Sequence, residues 1–387
     1  MPRRMFWTAG IAAGLFVLPV LSSDALAQIA VSSNDGKAVL INGVNTVPDN
    51  PVPDNVTIID LGVSPPKVLA VVQMPTSLVG PPSSVAVAPD QSFALVTAAT
   101  KLDPADRKKV VPHNIVSVLD LKATPPAVIA THETGTGASG VDINRAGTLA
   151  LVANRLEGTV SVFTIAGKVL TPAGKITLGD AKSQPSAVGF TPDGTMALVT
   201  RDGDSKVSIL TVKGNVVELS KREVHAGLRP YPLAMSPRGD WAVVGNVGMG
   251  FGDSDTASLI DLKANPPRVV DTITVGPTPE AVFAAPDGKH VVVTVINGSS
   301  RPSDSPFKTD HGLAVILAVD GMKLSKVTEA KVGTWCQGAA WSRDSKTVLM
   351  QCMLEQQIEV MAFDGKTLTK TGAIKVSGGP SGFGTSP

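Results

Sequence analysis

The sequence predicts an all-β chain folded as a seven-bladed β-propeller of four-stranded antiparallel blades. Three observations carry the prediction. One repeat recurs along the chain, each copy centres on a hairpin signal between alternating apolar runs, and helix-period patterns are nearly absent.

The repeat starts at Ile29, Ser84, Ser139, Ser186, Leu233, Glu280 and Gly338. Its turns fall at Asn34-Asp35-Gly36, Pro89-Asp90-Gln91, Arg145-Ala146-Gly147, Pro192-Asp193-Gly194, Pro237-Arg238-Gly239, Pro286-Asp287-Gly288 and Arg343-Asp344-Ser345. Asp-Gly between two apolar runs is a strong hairpin signal. A third run follows in each copy, at 56–61, 115–121, 159–165, 206–212, 257–262, 313–319 and 357–363. A fourth follows at 68–74, 127–133, 169–178, 216–224, 269–275, 324–332 and 368–376. Copies of about 50 residues fit four strands with their turns. Blade 1 is expected to have its innermost strand at 29–33. The tail from Gly378, which repeats the Gly-Pro-Ser that enters other blades, is expected to fold back toward the blade-1 edge and help close the ring. Two stacked sandwiches would need a linker-like composition shift, and the repeat runs without one. A single domain over 28–387 is therefore expected.

Residues 1–27 read as a signal peptide. Arg3 and Arg4 form a basic start, 8–21 is apolar, and Ala25-Leu26-Ala27 is a cleavage site. The apolar run is short of the ~20 residues of a membrane span. Arg3-Arg4-Met5-Phe6 partly matches a twin-arginine signal, with Pro2 in place of Ser or Thr, so general secretory and twin-arginine export both stay open. The mature chain is expected to be periplasmic or secreted, without a membrane span, and monomeric. A hydrophobic fraction of 43% excludes wholesale disorder, and a net charge of +1 argues against nucleic-acid or anionic-lipid binding.

Leu151-Val152-Ala153-Asn154, Val39-Leu40-Ile41-Asn42 and Val243-Val244-Gly245-Asn246, with the third-strand run at 116–120, carry a recognisable signature. On these residues the chain resembles the YVTN-type, lactonase-like propeller family over essentially its whole mature length. Ala98, Arg201, Val295 and Cys352 replace the Asn in other copies. The resemblance implies the propeller fold. It also implies one of two functions, because the family mixes enzymes with binding proteins.

In a propeller, the connections between blades share one face with the loops between second and third strands. Those loops are long at 43–55, 101–114, 247–256 and 297–312 and short elsewhere, while the Asp-Gly face is uniform. The variable face is thus the candidate binding face. Most connections into a blade are small and repetitive. Arg229 with Tyr231, Glu280, and Trp335 with Gln337 are not, and Arg201 and His225 lie near them in sequence. Arg201, Arg229, Tyr231, Glu280, Trp335 and Gln337 are the expected ligand-binding residues, for a small anion or lactone. A structural role, with Arg229 paired to Glu280 and Trp335 plugging the channel, is the alternative.

The first functional expectation is a binding or scaffold propeller that holds a small molecule or protein at the channel mouth. The second, implied by the resemblance, is a lactonase-like hydrolase or isomerase. There Glu280 or His225 would be the general base, and Arg229 or Arg201 would stabilise the oxyanion. No cofactor motif is present: no P-loop, no G-x-G-x-x-G, no C-x-x-C and no histidine pair at ligand spacing. The acidic stretches at Asp253–Asp255 and Asp304–His311 lack a calcium-loop pattern. Cys336 and Cys352 lie on one hairpin of the last copy. A regular ladder with a two-residue turn leaves them one place out of register, so a disulfide needs a bulge near 335–338; two free thiols are the alternative.

Overall fold

The computed structural model describes residues 1–2 and 28–386, so the expected signal peptide lies outside the described residues apart from its first two. Seven four-stranded antiparallel sheets account for nearly all of the regular structure. Blade 2 comprises Val85–Val87, Phe93–Leu102, Val110–Asp120 and Ala127–Glu133. Blade 3 comprises Ala138–Ile143, Leu149–Asn154, Thr159–Ala166 and Val169–Thr177. Blade 4 comprises Pro185–Phe190, Met196–Arg201, Lys206–Lys213 and Val216–Val224. Blade 5 comprises Pro230–Met235, Trp241–Asn246, Asp255–Asp261 and Arg268–Gly276. Blade 6 comprises Pro279–Ala284, His290–Val295, Gly312–Asp320 and Lys323–Val332. Blade 7 comprises Cys336–Trp341, Thr347–Cys352, Gln357–Phe363 and Leu368–Lys375.

Blade 1 corrects the expectation. Its innermost strand is the C-terminal Gly379–Thr385, followed outward by Ile29–Asp35, Asn55–Asp60 and Lys67–Gln73. Residues 29–33 thus belong to the second strand. The tail does more than cover an edge: it supplies a whole strand, with Phe383 fully buried against Ala30, Ile59, Leu349 and Ile358 of blades 1 and 7. The segment Val39-Leu40-Ile41-Asn42 is not the blade's signature either. Val39–Ile41 pairs with Val44–Thr46 as a separate two-stranded ribbon. The true equivalent is Val31-Ser32-Ser33-Asn34, because Asn34 faces Pro380 as Asn154 faces Ala138.

The register explains the repeat's Asn. A bulge in the first strand follows the residue opposite it, between Ala138 and Val141, Pro185 and Val188, and Pro230 and Leu233. The Asn amide turns outward and donates to the third strand. Asn154 reaches Thr159 and Ser161 at 2.9 and 3.0 Å, Asn246 reaches Thr256 and Ser258 at 3.0 Å each, and Asn34 reaches Asn55 and Thr57 at 2.8 and 3.0 Å. A buried amide satisfied in this way holds the strand ends together.

Apolar side chains of adjacent blades interdigitate between the sheets. Phe93, Leu95 and Val118 of blade 2 pack on Val141, Val152 and Phe163 of blade 3, and Trp241, Val243 and Leu259 of blade 5 pack on Val291, Val293 and Val315 of blade 6. The outermost strands are largely exposed, as at Lys67–Gln73. Among the described residues no helix is long and apolar enough to cross a membrane.

Candidate functional site

In every blade but the second, a first-strand bulge places one residue at the same mouth of the channel. In blades 4, 5 and 6 these residues are Ser186, Tyr231 and Glu280. The residue after the Asn position comes up beside them: Arg155 after Asn154, Asp202 after Arg201, and Val247 after Asn246. Arg229 precedes Pro230 with φ +56, a left-handed turn that brings its side chain over the same corner.

Asp202 is the centre of this corner. Its carboxylate is fully buried and pairs with Arg155 and, at 3.0 Å, with Arg229. It also accepts the Ser186 hydroxyl at 2.6 Å. Arg155 further donates to Gln184 at 2.9 Å and to the Ser186 hydroxyl, and its guanidinium lies 5.4 Å from the centre of the Tyr231 ring. Burial works against the Asp202 charge, but the bonds from Arg155, Ser186 and Arg229 outweigh it and hold the carboxyl below the usual range. Arg155 has no donor to spare for much else. Arg229 is 37% exposed, with one carboxylate contact and a 3.4 Å bond to the Gly248 carbonyl, and keeps donors free.

A cavity of about 180 Å³ opens beside this pair, lined by Arg155, Arg229, Tyr231, Val247, Gly250, Thr278 and Glu280. The Glu280 carboxyl makes no hydrogen bond to any described residue. Burial raises it to about 7 against the pull of Arg155, with Asp202 adding to the rise and Arg229 opposing it. Burial, reinforced by Glu280, also lifts Tyr231 well above its ordinary value, so its phenol stays a donor. The site thus holds one titrating carboxyl, one phenol and two fixed cations in a small concave space.

Not every expected residue joins it. Arg201 turns outward in the Asn slot, where it pairs with Asp204 and Glu223 and donates to Ser208 at 3.2 Å. It therefore cannot serve an oxyanion in the cavity. His225 is exposed beyond the fourth strand of blade 4 and does not line the cavity. Trp335 and Gln337 enter blade 7 apart from it: the Trp335 amide donates to the Ser299 hydroxyl at 2.9 Å, and Gln337 is buried with its Nε2 3.4 Å from the Trp335 carbonyl. The Arg229–Glu280 ion pair of the alternative, structural reading does not form, since Arg229 takes Asp202 instead. Arg155 and Asp202 were missed. Their signal was available: charged residues directly follow the signature's last position in two adjacent copies, as Asp35 does in blade 1, where Ala99, Val247, Ile296 and Met353 stand in the others.

The variable loops gather over this face. Gly43 of the blade-1 ribbon packs on Pro302, and the Ser303 amide donates to Asn42 at 2.8 Å. Phe307 of the same blade-6 loop packs on Gly252 of the blade-5 loop, whose Gly250 lines the cavity. Segment 101–114, expected as a loop, is half ladder, because Phe93–Leu102 and Val110–Asp120 continue their pairing outward and leave only 103–109 as the connection. In blade 7 the bulge between Cys336 and Ala339 brings Cys336 opposite Cys352, and the two are joined Sγ to Sγ. Both are fully buried in the slot that Asn154 and Ala138 fill in blade 3. Among the described residues no group of three or more His, Cys, Asp or Glu is placed to hold a metal ion.

No protein-family model and no curated protein matches the chain in sequence. Solved structures do match in fold. The periplasmic gluconolactonase of Pseudomonas aeruginosa superposes with a TM-score of 0.69 at 17% identity, over 92% of this chain and 98% of that one. A candidate 6-phosphogluconolactonase from Bacteroides uniformis gives 0.71 at 17% identity, over 93% and 99%. Hydrazine synthase of Kuenenia stuttgartiensis gives 0.61 at 17% identity, over 80% and 90%. At such identities the likeness speaks for architecture: the chain has the β-propeller fold that lactonase-like proteins share with proteins of other function.

Proposed function

We propose that the chain is an exported, YVTN-type propeller that hydrolyses a small lactone at the Glu280 cavity. The carrying observation is the Glu280 carboxyl, unbonded and raised to about 7, in one cavity with two arginines. A base poised near neutrality suits proton abstraction from water. The water oxygen attacks the lactone carbonyl carbon while Glu280 takes its proton. Arg229, with free donors, stabilises the oxyanion, and Arg155 and Tyr231 shape the pocket. The ring C–O bond then breaks, and the proton on Glu280 passes to the leaving alkoxide, giving a hydroxy acid. Arg201 and His225 have no part in this scheme. The fold neighbours support the reading, a periplasmic gluconolactonase among them. A cavity of about 180 Å³ favours a compact, unphosphorylated substrate. The purified mature protein, assayed against a panel of sugar and aliphatic lactones, should hydrolyse at least one above the spontaneous rate, and Glu280→Gln should not.

A binding or scaffold reading rests on a different observation. The loops over the same face expose Ile41, Val44, Met249, Phe251 and Phe307, an apolar rim suited to a protein partner. It predicts no hydrolysis of any lactone in the panel.

A further inference from the structure

The channel also opens on the opposite face, where each first strand enters its turn. Two contiguous cavities occupy this end, of about 260 and about 340 Å³. They share Asp142, Ile143, Met235, Ala284 and Thr385, so they form one passage. Together they exceed the Glu280 cavity, and their walls are mainly apolar, with Phe190 and Met235 prominent.

Asp142 breaks the repeat. It faces Leu151 across the ladder, and the residues that hold its place in the other blades are Ala86, Gly189, Ala234, Phe283, Ala340 and Gly384. All six are small or apolar. A carboxyl set among such positions pays a desolvation cost that a scaffold role does not require. Its oxygens accept the Ile143 amide at 2.9 Å and the Phe190 amide at 2.8 Å, and no cation lies against it among the described residues. The other charged residue lining the passage is Arg145, exposed at the rim, where solvent screens it. Burial raises Asp142 to about 7, with the two amides opposing. A second group points the same way: Ser386, 5% exposed, lines the passage with a hydroxyl that has no partner among the described residues.

We propose that this mouth of the channel binds a small organic ammonium ion, its charged head on Asp142 and its apolar body against Phe190, Met235 and Ala284. The ammonium brings the counter-charge that the half-buried carboxyl lacks and donors for its remaining lone pairs. The apolar body covers walls that are otherwise wet. An alcohol or carboxylate with the same body gains only the second term. The site is separate from the Glu280 cavity and does not depend on lactone hydrolysis.

Titration calorimetry of the mature protein with n-hexylammonium, 1-hexanol and hexanoate tests the proposal. At pH 8 the ammonium should bind saturably and the other two should not. Because it pairs with the ionised carboxyl, its affinity should be at least tenfold weaker at pH 5.5 than at pH 8. Asp142→Asn keeps an acceptor for a backbone amide and should abolish binding with little change in melting. Ala284→Trp fills the passage with Asp142 intact and should abolish it too, which covers the case in which the first variant fails to fold. Absence of saturable binding at millimolar ammonium, equal uptake of hexanoate, or unchanged affinity in either folded variant overturns the proposal.

Discussion

Two sectors of one ring use the same backbone positions for different ends. In blades 7, 1 and 3 the bulge residues are Gln337, Ser381 and Ser139, in blade 2 Ser83 stands just before the unbulged first strand, and the strands around them close up through neutral Gln and Ser side chains. Gln351 donates to the Ser32 hydroxyl at 2.6 Å and the Gly382 carbonyl at 2.9 Å, and the Ser33 and Ser84 hydroxyls lie 3.2 Å apart. In blades 5 and 6 the same position carries Tyr231 and Glu280, beside the Arg155–Asp202–Arg229 chain, and a cavity remains open. The repeat supplies the frame in both sectors. The proposed site stands where an aromatic and a charged residue break it beside the buried Asp202 carboxylate and its two arginines.

The comparison yields graded expectations. Deleting residues 377–387 removes the innermost strand of blade 1 with buried Phe383, and should abolish the cooperative melting transition; a folded truncation would mean that the ring closes without its C-terminal strand. Asp202→Ala leaves two arginines facing each other over a buried gap and should cost about 3–5 kcal/mol in urea unfolding. Because folding depresses the Asp202 pKa, its stabilisation is present above the ordinary carboxylate range and is lost as pH falls through the folded value, so the gap between wild type and variant should narrow in acid. In the quiet sector, replacing both cysteines by serine opens a loop with a sequence separation of 16 and should cost about 3 kcal/mol by the chain-entropy model. Thiol titration of the unreduced, denatured protein should find no free thiol. Arg229→Ala comes last for stability. Its side chain is 37% exposed, so melting should move little while lactone turnover or small-anion binding weakens; a sharp loss of melting temperature would make Arg229 structural.

The fold was legible because seven copies repeat one hairpin signal, and each blade packs like its neighbours. Blade 1 misled for a physical reason: its innermost strand comes from the opposite end of the chain, and Val39–Ile41 carries a signature-like run outside any blade. Tyr231, Glu280 and Arg229 stood out as breaks in the inter-blade connections. Arg201 stood out equally and points away, because the Asn slot faces the third strand rather than the channel. Asp142 went unnoticed because an acidic residue on a strand reads as solvated until the register places it on the innermost strand.

The claim that Glu280 is the working base is tested most directly by the pH dependence of kcat/KM for δ-gluconolactone hydrolysis, corrected for the spontaneous rate. The account predicts that turnover falls as pH drops through about 7, when Glu280 becomes protonated, and that Glu280→Gln is slower by roughly a hundredfold or more with its melting temperature kept. A wild-type rate no faster than water, or a folded Glu280→Gln as active as the wild type, would contradict it.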